Sequence, residues 1–165
     1  MEEIVLRIFP KHWFTWNSEV LENDISIASI EFLAWGENGE IITHDCCYKV
    51  YREPGLSASF FLEENGKRIA WAIKPNPFYK LFEINYAGTE YELKAESPFL
   101  RQFILQERGL IIGAISPNHA FTRRAIAELP ANIPLPIRLF MIWLVLLLWR
   151  RNEQASAVTS DAMST

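Results

Sequence analysis

The sequence predicts a mainly β fold, a closed antiparallel barrel of about 12 short strands around a buried hydrophobic C-terminal helix. Strand-like runs separated by turn residues follow one another as far as Pro130, without alternating helices. The segment Leu139–Trp149 is apolar at every position, so a helix there must be enclosed on all sides. A barrel of that many strands is too wide to be filled by side chains alone, and this helix is suited to fill it.

Length and composition favour one globular domain over residues 1–151. The 165 residues include 50% hydrophobic and 13% aromatic residues, which is too apolar for a disordered chain. The net charge of −4 gives no general attraction to nucleic acid, so we expect no nucleic-acid partner.

The first third of the chain predicts strands interrupted by one polar loop. Ile4–Phe9 is predicted as a first strand, and the aromatic run His12–Trp16 as a second. Residues Asn17–Asp24 are polar and predict a loop. Ile25–Trp35 is β-rich, but its alternation changes phase near Ala28-Ser29, which indicates a bulge or a break into two strands.

Two asparagine-glycine pairs predict hairpins, because both residues tolerate the positive φ of a two-residue turn. Asn38-Gly39 would turn the chain into the run Ile41–Arg52, and Asn65-Gly66 would turn the hairpin Ser57–Lys74. A regular ladder from Asn65-Gly66 pairs Leu62 with Ile69, Phe60 with Trp71 and Ala58 with Ile73, and it sets Glu63 opposite Arg68 and Glu64 opposite Lys67.

The second half of the chain continues the β pattern. Phe78–Tyr86 and a strand reaching Ala95 are predicted to pair around Ala87-Gly88. Phe99–Leu105 is predicted to turn through 106–109 into Leu110–Ile115. The turn at Ala87-Gly88 would pair Phe82 with Leu93 and Ile84 with Tyr91, and it would place Glu83 opposite Glu92.

The closing helix is predicted over residues 136–151, because prolines just before it can start a helix but not continue one. Arg138 and the pair Arg150-Arg151 would lie at the two mouths of the barrel. Residues 152–165 are polar and small, and we expect a disordered tail. The predicted helix core consists of Leu139, Phe140, Ile142, Trp143, Leu146 and Leu147.

The order of elements resembles the tubby C-terminal superfold, shared by tubby-like proteins, phospholipid scramblases and plant LURP-one-related proteins. The resemblance covers about Trp13 to Arg151 and depends on Phe103–Gly113 leading through Leu129-Pro130 into Leu139–Val145. It implies a closed barrel around a hydrophobic helix. In tubby-like proteins basic side chains bind phosphoinositides, whereas the cysteine-rich and calcium-binding segments of scramblases have no counterpart in this sequence.

Catalytic and metal-binding motifs are not evident, so we expect a non-enzymatic protein without a cofactor. His12, His44 and His119 are far apart in sequence. The cluster His44-Asp-Cys-Cys47 would place its potential ligands on both faces of a strand, where a tetrahedral metal site cannot form. Cys46 and Cys47 are adjacent on that strand, so a disulfide between them is not expected.

The predicted function is a binding or scaffold module that associates with lipid head groups as a peripheral protein. Arg123 and Arg124 are the first candidate ligands, followed by Arg150 and Arg151. The partner would be a phospholipid or membrane surface, and the acidic N-terminal residues favour a cytoplasmic location over export. The alternatives are a tail-anchored, single-pass membrane protein using residues 137–149, and a carrier of small hydrophobic ligands.

Overall fold

The computed structural model describes residues 2–55, 58–120 and 122–163. It is a closed barrel in which every strand pairs antiparallel with its neighbours in the chain and β1 pairs with β12. One helix, α1, follows the last strand. The elements are β1 Glu3–Pro10, β2 Ser18–Glu22, β3 Ile25–Phe32, β4 Gly39–Thr43, β5 Cys47–Glu53, β6 Ala58–Glu64, β7 Lys67–Lys74, β8 Leu81–Tyr86, β9 Thr89–Ala95, β10 Phe103–Glu107, β11 Leu110–Pro117, β12 Ala125–Pro130 and α1 Leu135–Met163. The predicted fold class is therefore confirmed.

The barrel has two different ends, because antiparallel neighbours place alternate connections on the same side. We call one the turn end, formed by the short connections 23–24, 44–46, 65–66, 87–88 and 108–109, with 131–134 leading into α1. We call the other the loop end, formed by the described residues of the connections 11–17, 33–38, 54–57, 75–80, 96–102 and 118–124. Helix α1 enters at the turn end and leaves at the loop end, where Trp149 and Arg150 contact the loops.

The interior of the barrel is filled by α1, whose residues from Ile137 to Trp149 are all buried. The six residues predicted as the helix core are each at most 1% exposed. Trp143 lies at the centre of an aromatic cluster, with ring centroids 6.0 Å from both Phe60 and Phe140 and 6.5 Å from Phe32. Every face of this helix segment is therefore covered by the strands.

Gly39 permits the close approach of the sheet to this cluster. A Cβ atom at this position would lie 2.3 Å from the backbone oxygen of Glu31 and 3.4 Å from Nε1 of Trp143. The prediction that Asn38-Gly39 forms the turn is wrong, because Gly39 is the first residue of β4 and pairs with Phe32. The connection is the longer loop 33–38, in which Gly36 has the positive φ.

Three hairpins at the turn end share one irregularity. In the pairs β2–β3, β6–β7 and β10–β11 the register shifts by one residue, leaving an extra isoleucine in the second strand of each hairpin. These residues are Ile27, Ile69 and Ile112, and each lies three positions after its turn and packs partly buried against the core. The bulge predicted near Ala28 is confirmed, with Ile27 as the extra residue.

The bulge at Ile69 corrects the predicted register of the Asn65-Gly66 hairpin. The charged pairs beside the turn are as predicted, Glu63 with Arg68 and Glu64 with Lys67. Beyond Ile69, however, Leu62 faces Ala70, Phe60 faces Ala72 and Ala58 faces Lys74. Trp71 and Ile73 therefore lie on the outer wall of the barrel rather than in its core. Ser57, the predicted start of this hairpin, lies outside the described residues.

The predicted β8–β9 pairing is confirmed. Phe82 faces Leu93 and Ile84 faces Tyr91 on the inside, and Glu83 faces Glu92 on the other side of the sheet. Ala87 and Gly88 form the turn, both with positive φ.

Several predicted strands contain loops instead. His12–Trp16 is not a strand: Lys11 N–H bonds to the Asn17 carbonyl, and the Asn17 side chain accepts a hydrogen bond from the Phe32 N–H. The polar segment predicted as a loop contains β2, whose alternation places Ser18 and Val20 inside and Glu19 outside. The run Ile41–Arg52 is divided by the turn 44–46 into β4 and β5. Strands β8 and β10 begin later than predicted, so residues 78–80 and 99–102 belong to loops.

Helix α1 is longer than the predicted 136–151. It begins at Leu135 and continues to Met163, so residues 152–163, predicted to be disordered, form an exposed helical extension. Residues 164 and 165 lie outside the described chain. The extension continues the buried rod without a glycine or proline to end it, and a hydrogen bond from Ser156 Oγ to the Asn152 carbonyl lies along it. No helix among the described residues reaches the length and hydropathy needed to cross a membrane.

Candidate functional site

Exposed aromatic rings are concentrated at the loop end. Six rings there are between 66% and 94% exposed, and among the described aromatic residues only Trp71 is exposed elsewhere. They come from four different loops. We call this set the exposed rings: Trp13, Phe14, Trp35, Phe78, Tyr79 and Phe99. Single exposed apolar residues are ordinary, but large apolar patches on a folded domain mark interaction sites.

Local hydrogen bonds hold the backbone of these loops while the rings point outward. The Asn76 side chain accepts a hydrogen bond from the Phe78 N–H at 2.8 Å, and Ser97 Oγ accepts one from the Phe99 N–H at 3.3 Å. Short polar side chains commonly fix turns in this way. Lys74 Nζ donates to the carbonyls of Asn76 and Pro77, which joins the loop 75–80 to the end of β7.

Rings of the first loop also pack on one another. His12 stacks on Phe14 with centroids 5.5 Å apart, and Trp13 meets Phe14 edge to face at 5.4 Å. The loop is tied to the neighbouring β11–β12 connection by Arg123, whose Nη1 donates to the carbonyls of Trp13 and Thr15. These rings are therefore presented on an ordered loop.

The loop end is also richer in positive charge than the protein as a whole. The six loops together with residues 150 and 151 hold two carboxylates, Glu37 and Glu96, against seven cations. These cations are Lys11, Lys80, Arg101, Arg123, Arg124, Arg150 and Arg151. The whole chain carries a formal charge of −4, so its charge is distributed unevenly between the ends. The helical extension adds Glu153 and Asp161 beyond this surface.

All four arginines predicted as lipid ligands lie at the loop end, but three have intramolecular partners. Arg123 pairs with Glu153, and Arg151 pairs with Glu37, with a second bond from Nη2 at 2.6 Å. Arg150 Nη1 donates to the Gly36 carbonyl at 3.2 Å. Arg124 is exposed, and its guanidinium carbon lies 5.5 Å from the ring centroid of Phe9.

Two lysines lie beside the exposed rings without an ion pair or side-chain hydrogen bond in the described part of the chain. Lys80 and Lys94 line a recess of about 330 Å³ between the loops 75–80 and 96–102. Phe78, Tyr79 and Pro98 form its apolar wall. The sequence pattern did not predict this site, because Phe78 and Phe99 were assigned to strands. Pro77-Phe78 and Pro98-Phe99, in which a ring follows a turn-forming residue, were the available signal.

Electrostatics fix the helix exit to the loop 33–38. Burial alone would raise the pKa of Glu37, but hydrogen bonds from Arg151 and the charges of Arg151 and Arg52 outweigh it and hold that pKa below its ordinary value. On the neighbouring strand, Glu31 has a lowered pKa, because bonds from Lys11 and Ser29 outweigh its burial. Both carboxylates are therefore charged near neutral pH.

The three histidines do not come together at one site. His12 and His119 lie in two loop-end loops, whereas His44 lies in the turn 44–46 beside Cys46 and Cys47. Within residues 2–55, 58–120 and 122–163, no group of three or more metal-binding side chains is positioned to hold an ion. Burial raises the pKa of the Cys46 thiol, and the hydrogen bond and negative charge of Glu64 raise it further. The reactive thiolate is therefore disfavoured.

The chain matches no family model, no curated protein and no solved structure in the three comparisons made. The resemblance to the tubby C-terminal superfold therefore stays a prediction.

Proposed function

We propose that this protein is a non-enzymatic binding module that docks its loop end on an anionic membrane surface. The single observation that carries the proposal is the placement of six exposed rings on four loops at the same end of a rigid barrel. Tryptophan and tyrosine side chains favour the boundary between lipid head groups and acyl chains, because one part of the residue is apolar and the other polar, and phenylalanine rings add apolar surface that can be buried there.

Positive charge in the same place supports an anionic partner. Each lysine or arginine near an anionic membrane contributes about 1 kcal/mol to binding. Lys80, Lys94 and Arg124 are the best candidates, because Arg123 and Arg151 already neutralise glutamates of the protein itself. The recess beside Phe78 and Tyr79 would bring an apolar wall and two ammonium groups to one head group.

The helical extension affects how closely the loop end can approach a bilayer. Residues 152–163 are exposed, polar for the most part and leave the barrel at the same end as the exposed rings. As a helix they reach about 18 Å beyond the barrel. Docking therefore requires the extension to tilt or unwind. The required change breaks the ion pair between Glu153 and Arg123, and beyond that pair an exposed helix of this length is only marginally stable without packing.

Vesicle sedimentation tests the proposal directly. The full-length protein is expected to bind vesicles that contain phosphatidylserine, and to bind pure phosphatidylcholine vesicles more weakly. A Trp35→Ala, Phe78→Ala and Phe99→Ala triple variant should lose at least about ten-fold in affinity, since burying even one of these rings is worth about 1.5–3 kcal/mol. Trp71→Ala is the matched control, because it removes the exposed ring that lies on the outer wall instead. Circular dichroism would verify that each variant is folded.

Two further variants separate the contribution of the positive charge from the effect of the helical extension. Lys80→Ala with Lys94→Ala should weaken binding to the anionic vesicles and reduce its dependence on salt. Removal of residues 152–165 should strengthen binding, because the extension no longer stands between the rings and the bilayer. Equal binding by the wild type and the triple ring variant, or no binding to either vesicle, would contradict the proposal.

A further inference from the structure

A second surface with unused binding groups lies on the outer wall of β7–β10. It is a groove of about 420 Å³, within the usual size range of ligand sites. Trp71 and Ile73 form one side, and they are 42% and 37% exposed. The polar side chains that line the rest of the groove are Glu83, Asn85, Glu90, Glu92, Gln106 and Arg108.

The floor of the groove holds an unfavourable pair of charges. Glu83 of β8 lies directly opposite Glu92 of β9, and neither has an ion pair or side-chain hydrogen bond within the described chain. Like charges at directly opposed positions of an antiparallel sheet destabilise it. Asn85 and Gln106 also make no side-chain hydrogen bond among these residues. The groove therefore presents carboxylates and amides that the fold does not use.

On the adjoining wall of the barrel, by contrast, charged side chains do have partners. On β5–β7 the Tyr51 hydroxyl donates to Glu63 at 2.8 Å, and Arg68 donates to Tyr51 and pairs with Glu53. The guanidinium of Arg68 also lies 3.8 Å from the ring centroid of Phe61. There, Glu53, Glu63 and Arg68 each have a hydrogen-bond or ion-pair partner.

We propose that the groove binds an extended segment of a partner protein that carries lysine or arginine side chains. Their cationic groups would lie between Glu83, Glu92 and Glu90, whose three negative charges outnumber the single positive charge of Arg108 in the same groove. Their aliphatic stems would pack on Trp71 and Ile73, whose exposed surfaces suit them. The groove crosses four strands, a width of about 14 Å, which accommodates roughly four extended residues. The inference is independent of the proposed membrane function, since the two surfaces do not share a residue.

Isothermal titration of the full-length protein with a defined peptide tests this inference. The probe is a capped pentapeptide with lysine at alternate positions and alanine between, because alternate side chains of an extended chain face the same side. Glu83→Gln with Glu92→Gln should weaken its binding by about ten-fold, and Trp71→Ala should also weaken it. Glu63→Gln is the matched control, because this glutamate lies half-buried on the next wall and already has a partner.

A measurement without ligand provides a second arm. Glu83→Gln should raise the melting temperature by about 1–3 °C, because it removes the opposed charges. A lower melting temperature would contradict the premise that this pair is held under repulsion.

Three results would overturn the inference. The first is unchanged peptide binding by the Glu83, Glu92 double variant, and the second is an equal loss in Glu63→Gln, which would indicate unspecific attraction. The third is spermine binding as tightly as the peptide, since a small polyamine would then account for the site. Vesicle binding should be unaffected by the double variant, so failure here is distinguishable from failure of the membrane proposal.

Discussion

The turn end and the loop end close the same twelve strands with different kinds of residues. At the turn end, four connections consist of two residues that both have positive φ, namely Asn23-Asp24, Asn65-Gly66, Ala87-Gly88 and Arg108-Gly109. At the loop end, the connections 11–17, 33–38, 75–80 and 96–102 are longer and carry the exposed rings. Backbone geometry limits which residues the first end can accept, whereas the second end leaves its side chains available for contacts with other molecules.

Helix α1 is attached differently at the two ends. Near the turn end Arg138 is buried, and its Nε donates to the Ile133 carbonyl at 2.8 Å. At the loop end the helix is joined to separate loops through Trp149, Arg150 and Arg151. Burial fixes the helix along the barrel, and side-chain bonds fix the loops around its exit.

The largest expected difference in stability is between alanine substitutions at two tryptophans, one in the core and one at the loop end. Trp143→Ala should destabilise the protein by about 3–5 kcal/mol, because it leaves a cavity in the aromatic cluster. Trp35→Ala, at a side chain 90% exposed on the loop end, should change stability by no more than about 0.5 kcal/mol. Urea denaturation measures both. Similar losses in the two variants would mean that the loop-end ring contributes to the core and is not free for docking.

Alanine substitutions at two glycines, one at each end, test how strongly each end restricts its backbone conformation. Gly66→Ala should cost about 1 kcal/mol or more, because Gly66 has a φ of +81° in the turn. Gly55→Ala, in a loop with nothing within 4 Å of the added Cβ, should be neutral or stabilise by about 0.4–1 kcal/mol. Thermal melting of the two variants tests whether only the turn end restricts its backbone. A destabilised Gly55 variant would weaken that distinction.

The smallest expected effect concerns pH and the helix exit. Since the folded-state pKa of Glu37 is lowered, its contribution is present above the pKa of the unfolded chain and is lost as pH falls through the folded value. Glu37→Gln should therefore be less stable than wild type at pH 7, by about 1 kcal/mol for a partly exposed pair. The difference should disappear in acid. A difference that persists at low pH would assign the loss to packing instead.

The sequence predicted best those features that local chemistry determines. The turns at Asn65-Gly66 and Ala87-Gly88 were found because few residues adopt positive φ at two successive positions. The buried helix was found because an entirely apolar segment has to be enclosed. The register after Asn65-Gly66 was wrong, since the bulge at Ile69 depends on how the closed sheet curves.

The loop end was the least predictable part, for a physical reason. Aromatic residues are typical of strands, so His12–Trp16, Phe78 and Phe99 were assigned to the sheet by composition. Which rings reach the interior depends on where the barrel closes, and local sequence does not contain that information. The polar β2 was missed for the converse reason, since only Ser18 and Val20 face inward.

Pairing of β1 with β12 has a consequence for how the protein is made. Strand β1 is synthesised first but cannot pair with β12 until all twelve strands have been made. Helix α1, which fills the barrel, is synthesised after both. Contacts between residues so distant along the chain slow folding, because the chain loses conformational entropy before the stabilising contacts form. Until α1 emerges, the inward faces of all twelve strands lack the helix that covers them in the folded protein, and the nascent chain should depend on chaperones until Trp149 has left the ribosome.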